Sequence, residues 1–268
     1  MVTLFEENIK ADDRRSSKGN QCKWFAGGIW YKADYTGYEG LAEYMVSHLM
    51  RHSSLDENSY ILYDTEEIMY GSVKYLGCRS GNFLPAGWQI ITLERLFHNF
   101  YGESLYKSIY QIQDHESRVQ FLVEQIERIT GLKKFGEYLS GLLTIDALFL
   151  NEDRHTHNIA VLMDDNGKYQ YCPIFDNGGA LLSDTSMDYP MGGEIYTLID
   201  KVKAKTFCQD FAEQLEIVEK MYGRHIKFHF GKKEVDELLE KETNYPWDIK
   251  KRVARILADQ KRKYAYLF

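Results

Sequence analysis

The sequence predicts an α+β fold in two lobes, on three observations. Short β-rich runs occupy the first third of the chain, and apolar residues at helical spacing occupy most of the rest. The two kinds of element are segregated and do not alternate as βαβ units would. A length of 268 residues suits one large domain or two lobes of roughly 100 and 150 residues.

Lys23–Phe25 and Ile29–Ala33 read as strands, and Ala26-Gly27-Gly28 between them suits a tight hairpin turn. Gly40 to Met50 reads as a helix, with Leu41, Tyr44, Met45, His48 and Leu49 at helical spacing. Tyr60–Tyr63 and Ile68–Leu76 read as further strands. Three longer helices follow, over Arg118–Ile129, Phe135–Leu150 and Trp247–Tyr264, each with one apolar face. The division expected is a strand-rich N-lobe over 1–84 and a helical C-lobe over 85–268.

Hydrophobic residues are 44% and charged residues 27%, enough for a packed core and against wholesale disorder. The formal net charge of −7 argues against direct binding of nucleic acid or an anionic membrane. Any polyphosphate ligand must then meet local positive charge or a metal. Four Cys occur without C-x-x-C or zinc spacing, which suits reduced, mostly buried thiols in a cytoplasmic protein. No signal peptide and no apolar run of about 18 residues is visible. A secreted effector with a different export signal stays open. The basic residues of the last helix, from Lys250 to Lys263, read as a solvated outer face.

Chemistry concentrates in NEDRHTHN (Asn151–Asn158) and FDNG (Phe175–Gly178). Between them, Ile159–Met163 and Lys168–Phe175 read as a hairpin around Asn166-Gly167. With that two-residue turn, Asp165 faces Lys168 and Asn158 faces Phe175, so Asp176 arrives one residue from Asn158. An amide oxygen and a carboxylate so placed can share a hard cation such as Mg2+. Asp153 can orient or deprotonate a hydroxyl, and the set supplies what phosphoryl transfer needs. Two other readings compete: a transition-metal site using His155 and His157, which lacks a third His at ligand spacing, and a structural polar loop. Arg154 is expected to pair with a neighbouring carboxylate. Lys32, between aromatic and apolar residues of its strand, also needs a partner, and Glu39 and Glu43 follow it.

Asp153-Arg-His-Thr-His-Asn158 followed by Asp176-Asn-Gly178 matches the protein-kinase order of catalytic loop and metal-binding Asp. DRHxxN is similar to phosphatidylinositol-kinase-like enzymes. The longer NEDRHTHNIAVL…PIFDNGGALLSD resembles the HipA-like serine/threonine kinases of bacteria, over about residues 140–185 and more weakly over 15–100. The resemblance implies a bilobal protein-kinase-like fold using ATP and Mg2+. It implies Asp153 as the catalytic residue, Asn158 and Asp176 as metal ligands, and Lys32 held by Glu43 as the clamp on the ATP phosphates. It places the phosphate-covering loop at Arg14–Asn20, with Ser16, Ser17 and Gly19 as nucleotide contacts and Ser16 or Ser17 as an autophosphorylation site. That loop departs from G-x-G-x-x-G, carrying one Gly. The base is expected near residues 77–85. The implied activity is a protein kinase acting on Ser or Thr of a protein substrate, with an antitoxin or regulatory partner. A lipid or small-molecule kinase with the same core is the alternative, and a pseudokinase binding module a third.

Overall fold

The structure is a computed structural model that describes residues 1–9 and 21–268. Strand β1 (Val2–Leu4) lies at one edge of a five-stranded sheet. β2 (Lys23–Ala26) and β3 (Ile29–Ala33) form the opposite edge as the expected hairpin. Gly27 and Gly28, with φ of 58° and 80°, make its two-residue turn, a backbone that only glycine adopts without cost. Helix α1 (Glu39–Met50) follows, then β4 (Asp64–Tyr70) and β5 (Val73–Gly81), giving the strand order β1-β4-β5-β3-β2.

Two expectations fail in this half. Ile68–Leu76 is not one strand: Gly71, at φ 59°, folds it into the β4–β5 hairpin with Tyr70 opposite Val73. Tyr60–Tyr63 is extended but belongs to neither sheet. Its backbone instead bonds residue 174, with Ile61 N–H donating to Ile174 O at 2.9 Å. The apolar pattern marks extended chain, but its partner is distant in sequence.

The second half begins with β6 (Trp88–Thr92) and continues with α2 (Leu93–Tyr101), α3 (Leu105–Gln111), α4 (His115–Thr130) and α5 (Phe135–Phe149). β7 (Ala160–Asp164) and β8 (Tyr169–Tyr171) join β6 in a three-stranded sheet of order β6-β7-β8. α6 (Ile195–Ile199), α7 (Phe211–Tyr222), α8 (Lys232–Lys241) and α9 (Trp247–Lys263) complete the chain. Side-chain caps start many of these helices; Asp114 accepts from Ser117 N–H at 2.7 Å and Asp210 from Glu213 N–H at 2.8 Å.

α5 is buried almost all round and carries the centre of the larger core, against α4, α7 and α9. A separate small core of Leu4, Trp24, Tyr31, Ala33 and Ile68 supports the five-stranded sheet. Where the two sheets meet, Phe83 and Phe175 pack 6.1 Å apart beside the segment that leaves β5.

The basic α9 departs from expectation at two positions, while Lys251, Arg255, Arg262 and Lys263 are exposed as expected. Lys250 and Arg252 point inward: Lys250 pairs with Glu242 at 3.1 Å, and Arg252 donates to the carbonyls of Tyr189 and Pro190. Cys78, Cys172 and Cys208 are buried, and Cys22 is exposed. Among the described residues no helix is long and apolar enough to cross a membrane.

Candidate active site

The site grows from the end of α5. Its run LSGLLTIDALFL has a single acid, Asp146, fully buried on the helix. The helix stops at Leu150, whose left-handed φ of 56° turns the chain back so that Asn151 can bond Asp146. The loop Asn151–Asn158 then folds on itself. Asn158 N–H donates to His155 O, and the Asn158 amide donates to Asp153, at 2.8 Å to its backbone O and 3.1 Å to Oδ2. Asp153 and Asn158 thus meet as the motif spacing suggested.

The β7–β8 hairpin delivers Asp176 to the same place, with one correction. Its loop has three residues, Asp165-Asn166-Gly167, closed by Asp164 N–H donating to Lys168 O at 3.0 Å. The Asp164 carboxylate accepts from the N–H groups of both Asn166 and Lys168, and Gly167 takes φ 77°. Asp164, not Asp165, therefore faces Lys168, and the ladder is shifted by one residue. The chain beyond β8 still carries Asp176 to the cleft that Asn158 lines.

Asp176 sits at φ 62°, and Leu181 and Leu182 both at 56°. Non-glycine residues in this region cost about 1 kcal/mol or more each, so the surroundings must hold them. Leu181 is held at both ends, by its N–H to Phe149 O at 2.8 Å and by the Tyr38 hydroxyl on its carbonyl at 2.6 Å. Gly179 is required by closeness: a Cβ there would lie 2.9 Å from the Asp153 Cβ.

Lys32, on β3, donates to Glu43 at 2.7 Å and to Asp176 at 2.8 Å. Glu43 uses its second oxygen to accept from Asn177 N–H at 2.9 Å, so helix α1 is tied to the residue after Asp176. Burial alone would lower the Lys32 pKa, but the charges of Asp176 and Glu43 outweigh it and raise it well above the ordinary value. Burial would raise Asp176; Lys32 and then Lys23 outweigh that and hold its carboxyl well below the usual range. Of the two glutamates considered as the partner of Lys32, Glu43 is the one bonded. Glu39 accepts instead from the N–H groups of Thr36 and Gly37 at the helix entrance.

Two clefts share Asp176 and Lys23. The larger, about 930 Å³ of space open to solvent, runs between the two sheets, from Lys32 and Asn158 to Phe83 and Leu84. Tyr63, 3% exposed, and Ser80, 6% exposed, line it, and their hydroxyls have no hydrogen-bond partner among the described residues. The smaller, about 570 Å³, holds Asp153 together with Tyr35, Gly178, Gly179 and Asp184. Asn158 Oδ1 and Asp176 Oδ2 accept no hydrogen bond among the described residues, while Asp153 and Lys32 hold the other atoms of each group. An amide oxygen and a carboxylate oxygen left in this way fit a hard cation such as Mg2+.

The histidine pair offers no such set. His155 lies 3.6 Å from Asp153 and accepts from His157 N–H, and burial pulls its pKa down. The described His, Cys, Asp and Glu cluster at metal-ligand spacing only at His115 at the start of α4, Cys208 just before α7 and Glu213 in its first turn. Ser16, Ser17 and Gly19 lie outside the described residues. Lys23, Tyr63, Ser80 and Asp146 were not singled out from the sequence. Asp146 could have been: a lone acid in the middle of an apolar helix needs a buried partner. Arg154 supplies it at 3.0 Å, as the expectation of a carboxylate partner required.

The sequence matches no protein-family model and no curated protein. By structure, the chain is similar to the Helicobacter pylori proinflammatory kinase CtkA, with a TM-score of 0.61 at 14% identity, over 99% of this chain and 96% of that one. The fold is kinase-like. A HipA of Shewanella oneidensis MR-1, solved with HipB and its operator DNA, matches at a TM-score of 0.37 and 12% identity, over 96% of this chain and 67% of that one. At that score the second match adds nothing to the fold assignment.

Proposed function

We propose that this chain is an ATP- and Mg2+-dependent phosphotransferase, acting on Ser or Thr hydroxyls of a protein. The observation that carries the reading is the joint placement of five residues: Lys32, Asn158 and Asp176 line the larger cleft, Asp153 lines the smaller one that meets it at Asp176, and Glu43 holds Lys32. A kinase-like fold supports it. On this reading residues 1–84 form the lobe that covers the nucleotide and 85–268 the lobe that carries the catalytic loop.

Lys32, fixed by Glu43, presents its ammonium to the ATP phosphates and exchanges Asp176 for them when nucleotide enters. Asn158 and Asp176 would hold magnesium, which when bound would neutralise phosphate charge. Asp153 faces the smaller cleft, where it orients the acceptor hydroxyl and accepts its proton. Phe83, Leu84 and Phe175 give the base an apolar slot and keep water from it. Positioning and charge stabilisation carry most of the rate in such transfers.

A lipid or a small molecule that offers a hydroxyl is the alternative acceptor. Incubation with labelled ATP and Mg2+, followed by mass spectrometry of the enzyme and of added proteins, tests the reading. Phosphate on a Ser or Thr is expected. Label confined to lipid or to a soluble metabolite would move the assignment to the alternative acceptor class.

A further inference from the structure

Resting on that reading, we infer that Arg154 is a positioning residue that sets both proposed magnesium ligands at once, with Asp146 as its buried counter-charge. The guanidinium side chain is 2% exposed and the Asp146 carboxylate 0%. Arg154 Nε donates to Asp146 at 3.1 and 3.0 Å. Nη1 donates to two backbone carbonyls, Asn158 O at 3.0 Å and Phe175 O at 2.8 Å. Nη2 donates to Asn177 Oδ1 at 2.7 Å. One side chain therefore grips the backbone of Asn158 and both chain neighbours of Asp176.

That grip has a specific task. Asp176 stands at φ 62°, a backbone that relaxes when its neighbours are released. Distant residues hold the loop at Glu152, Arg154 and Thr156, but among the described residues the other hydrogen bonds of Asn158 itself reach only His155 and Asp153 within that loop. Asp146 belongs to the most deeply buried helix, so the reference point is rigid. The planar guanidinium fork reaches a carboxylate on one side and three oxygens on the other, whereas a lysine ammonium is a point charge that cannot span them. A buried ion pair contributes little net stability compared with apolar side chains of similar volume, so stability alone does not account for this one.

Two variants separate positioning from mere support. Arg154→Lys keeps the charge opposite Asp146 and loses the fork. Asp146→Leu combined with Arg154→Met removes both charges and keeps the packing. The probe is a non-hydrolysable ATP analogue, titrated with Mg2+ and followed by calorimetry, with thermal melting to confirm folding. In each variant that folds, half-saturating Mg2+ is expected to rise about tenfold or more, as for lost partners of metal ligands, with magnesium-free analogue affinity within about twofold of wild type. A folded variant with wild-type half-saturation overturns the inference. So does an equal loss of magnesium-free affinity, which marks general damage to the cleft. Wild-type protein whose analogue binding ignores Mg2+ overturns the kinase reading itself; magnesium dependence in wild type with unchanged variants overturns only the role given to Arg154.

Discussion

Lys32 and Asp176, separated by 144 positions in sequence, form an ion pair at 2.8 Å across the cleft. Each holds the other in its charged form, so that on the proposed function the phosphate-binding cation and the metal-binding anion wait paired.

Asp176→Ala is expected to lower phosphoryl transfer on the order of 10²- to 10³-fold or more, by removing charge stabilisation. The melting temperature should change little, because Lys32 keeps Glu43 as its partner. Steady-state kinetics beside a thermal melt read both quantities, and near-normal turnover rejects the metal assignment.

Asp153→Asn is expected to lower kcat by about 10²- to 10⁴-fold, the range for loss of a positioned proton acceptor. The amide keeps an oxygen to accept from Asn158, so magnesium-dependent nucleotide binding should persist. Equal losses in binding and turnover would place Asp153 in nucleotide binding instead.

Ser80→Ala is expected to weaken ATP binding by about two- to tenfold, one neutral hydrogen bond, if its hydroxyl meets the base or sugar. Comparison of ATP with GTP by calorimetry checks this, and unchanged affinities for both would show that the hydroxyl faces only water.

Asp34 makes a pH prediction. Burial first, and then the charge of Glu39, raise its pKa from 3.8 to about 7, against the lowering effect of hydrogen bonds from the Tyr245 hydroxyl and Gly40 N–H. The folded state then holds a proton that the unfolded state has released, so stability falls as pH rises from about 4 to 7 and levels off above. Asp34→Asn should remove this component, and the difference between the two melting curves from pH 5 to 8 measures it. A constant difference across that range would mean that Asp34 is ionised throughout.

What the sequence revealed follows from range. α5 and the β2–β3 hairpin were legible because periodicity and a Gly-Gly turn are local signals. The β7–β8 register slipped because Asp-Asn-Gly serves a two-residue or a three-residue turn equally well, and the choice was made by the Asp164 carboxylate. Asp153, Asn158 and Asp176 could be listed from residue types and spacing and Lys32 from its strand, whereas Glu43 was preferred to Glu39 through the resemblance to kinases; the five meet in space. The partnership of Arg154 with Asp146 and the carbonyls of Asn158 and Phe175 could not be specified, because backbone acceptors leave no mark in a sequence. Leu181 and Leu182 gave no warning of their positive φ, since leucine has no preference for it.

The most direct test is magnesium-dependent transfer of the ATP γ-phosphate by purified protein, wild type against Asp176→Ala. The account predicts label moved to a Ser or Thr by wild type and none above background by the variant. Transfer that persists in the variant, or a wild type that neither binds nor consumes ATP with Mg2+, would contradict it.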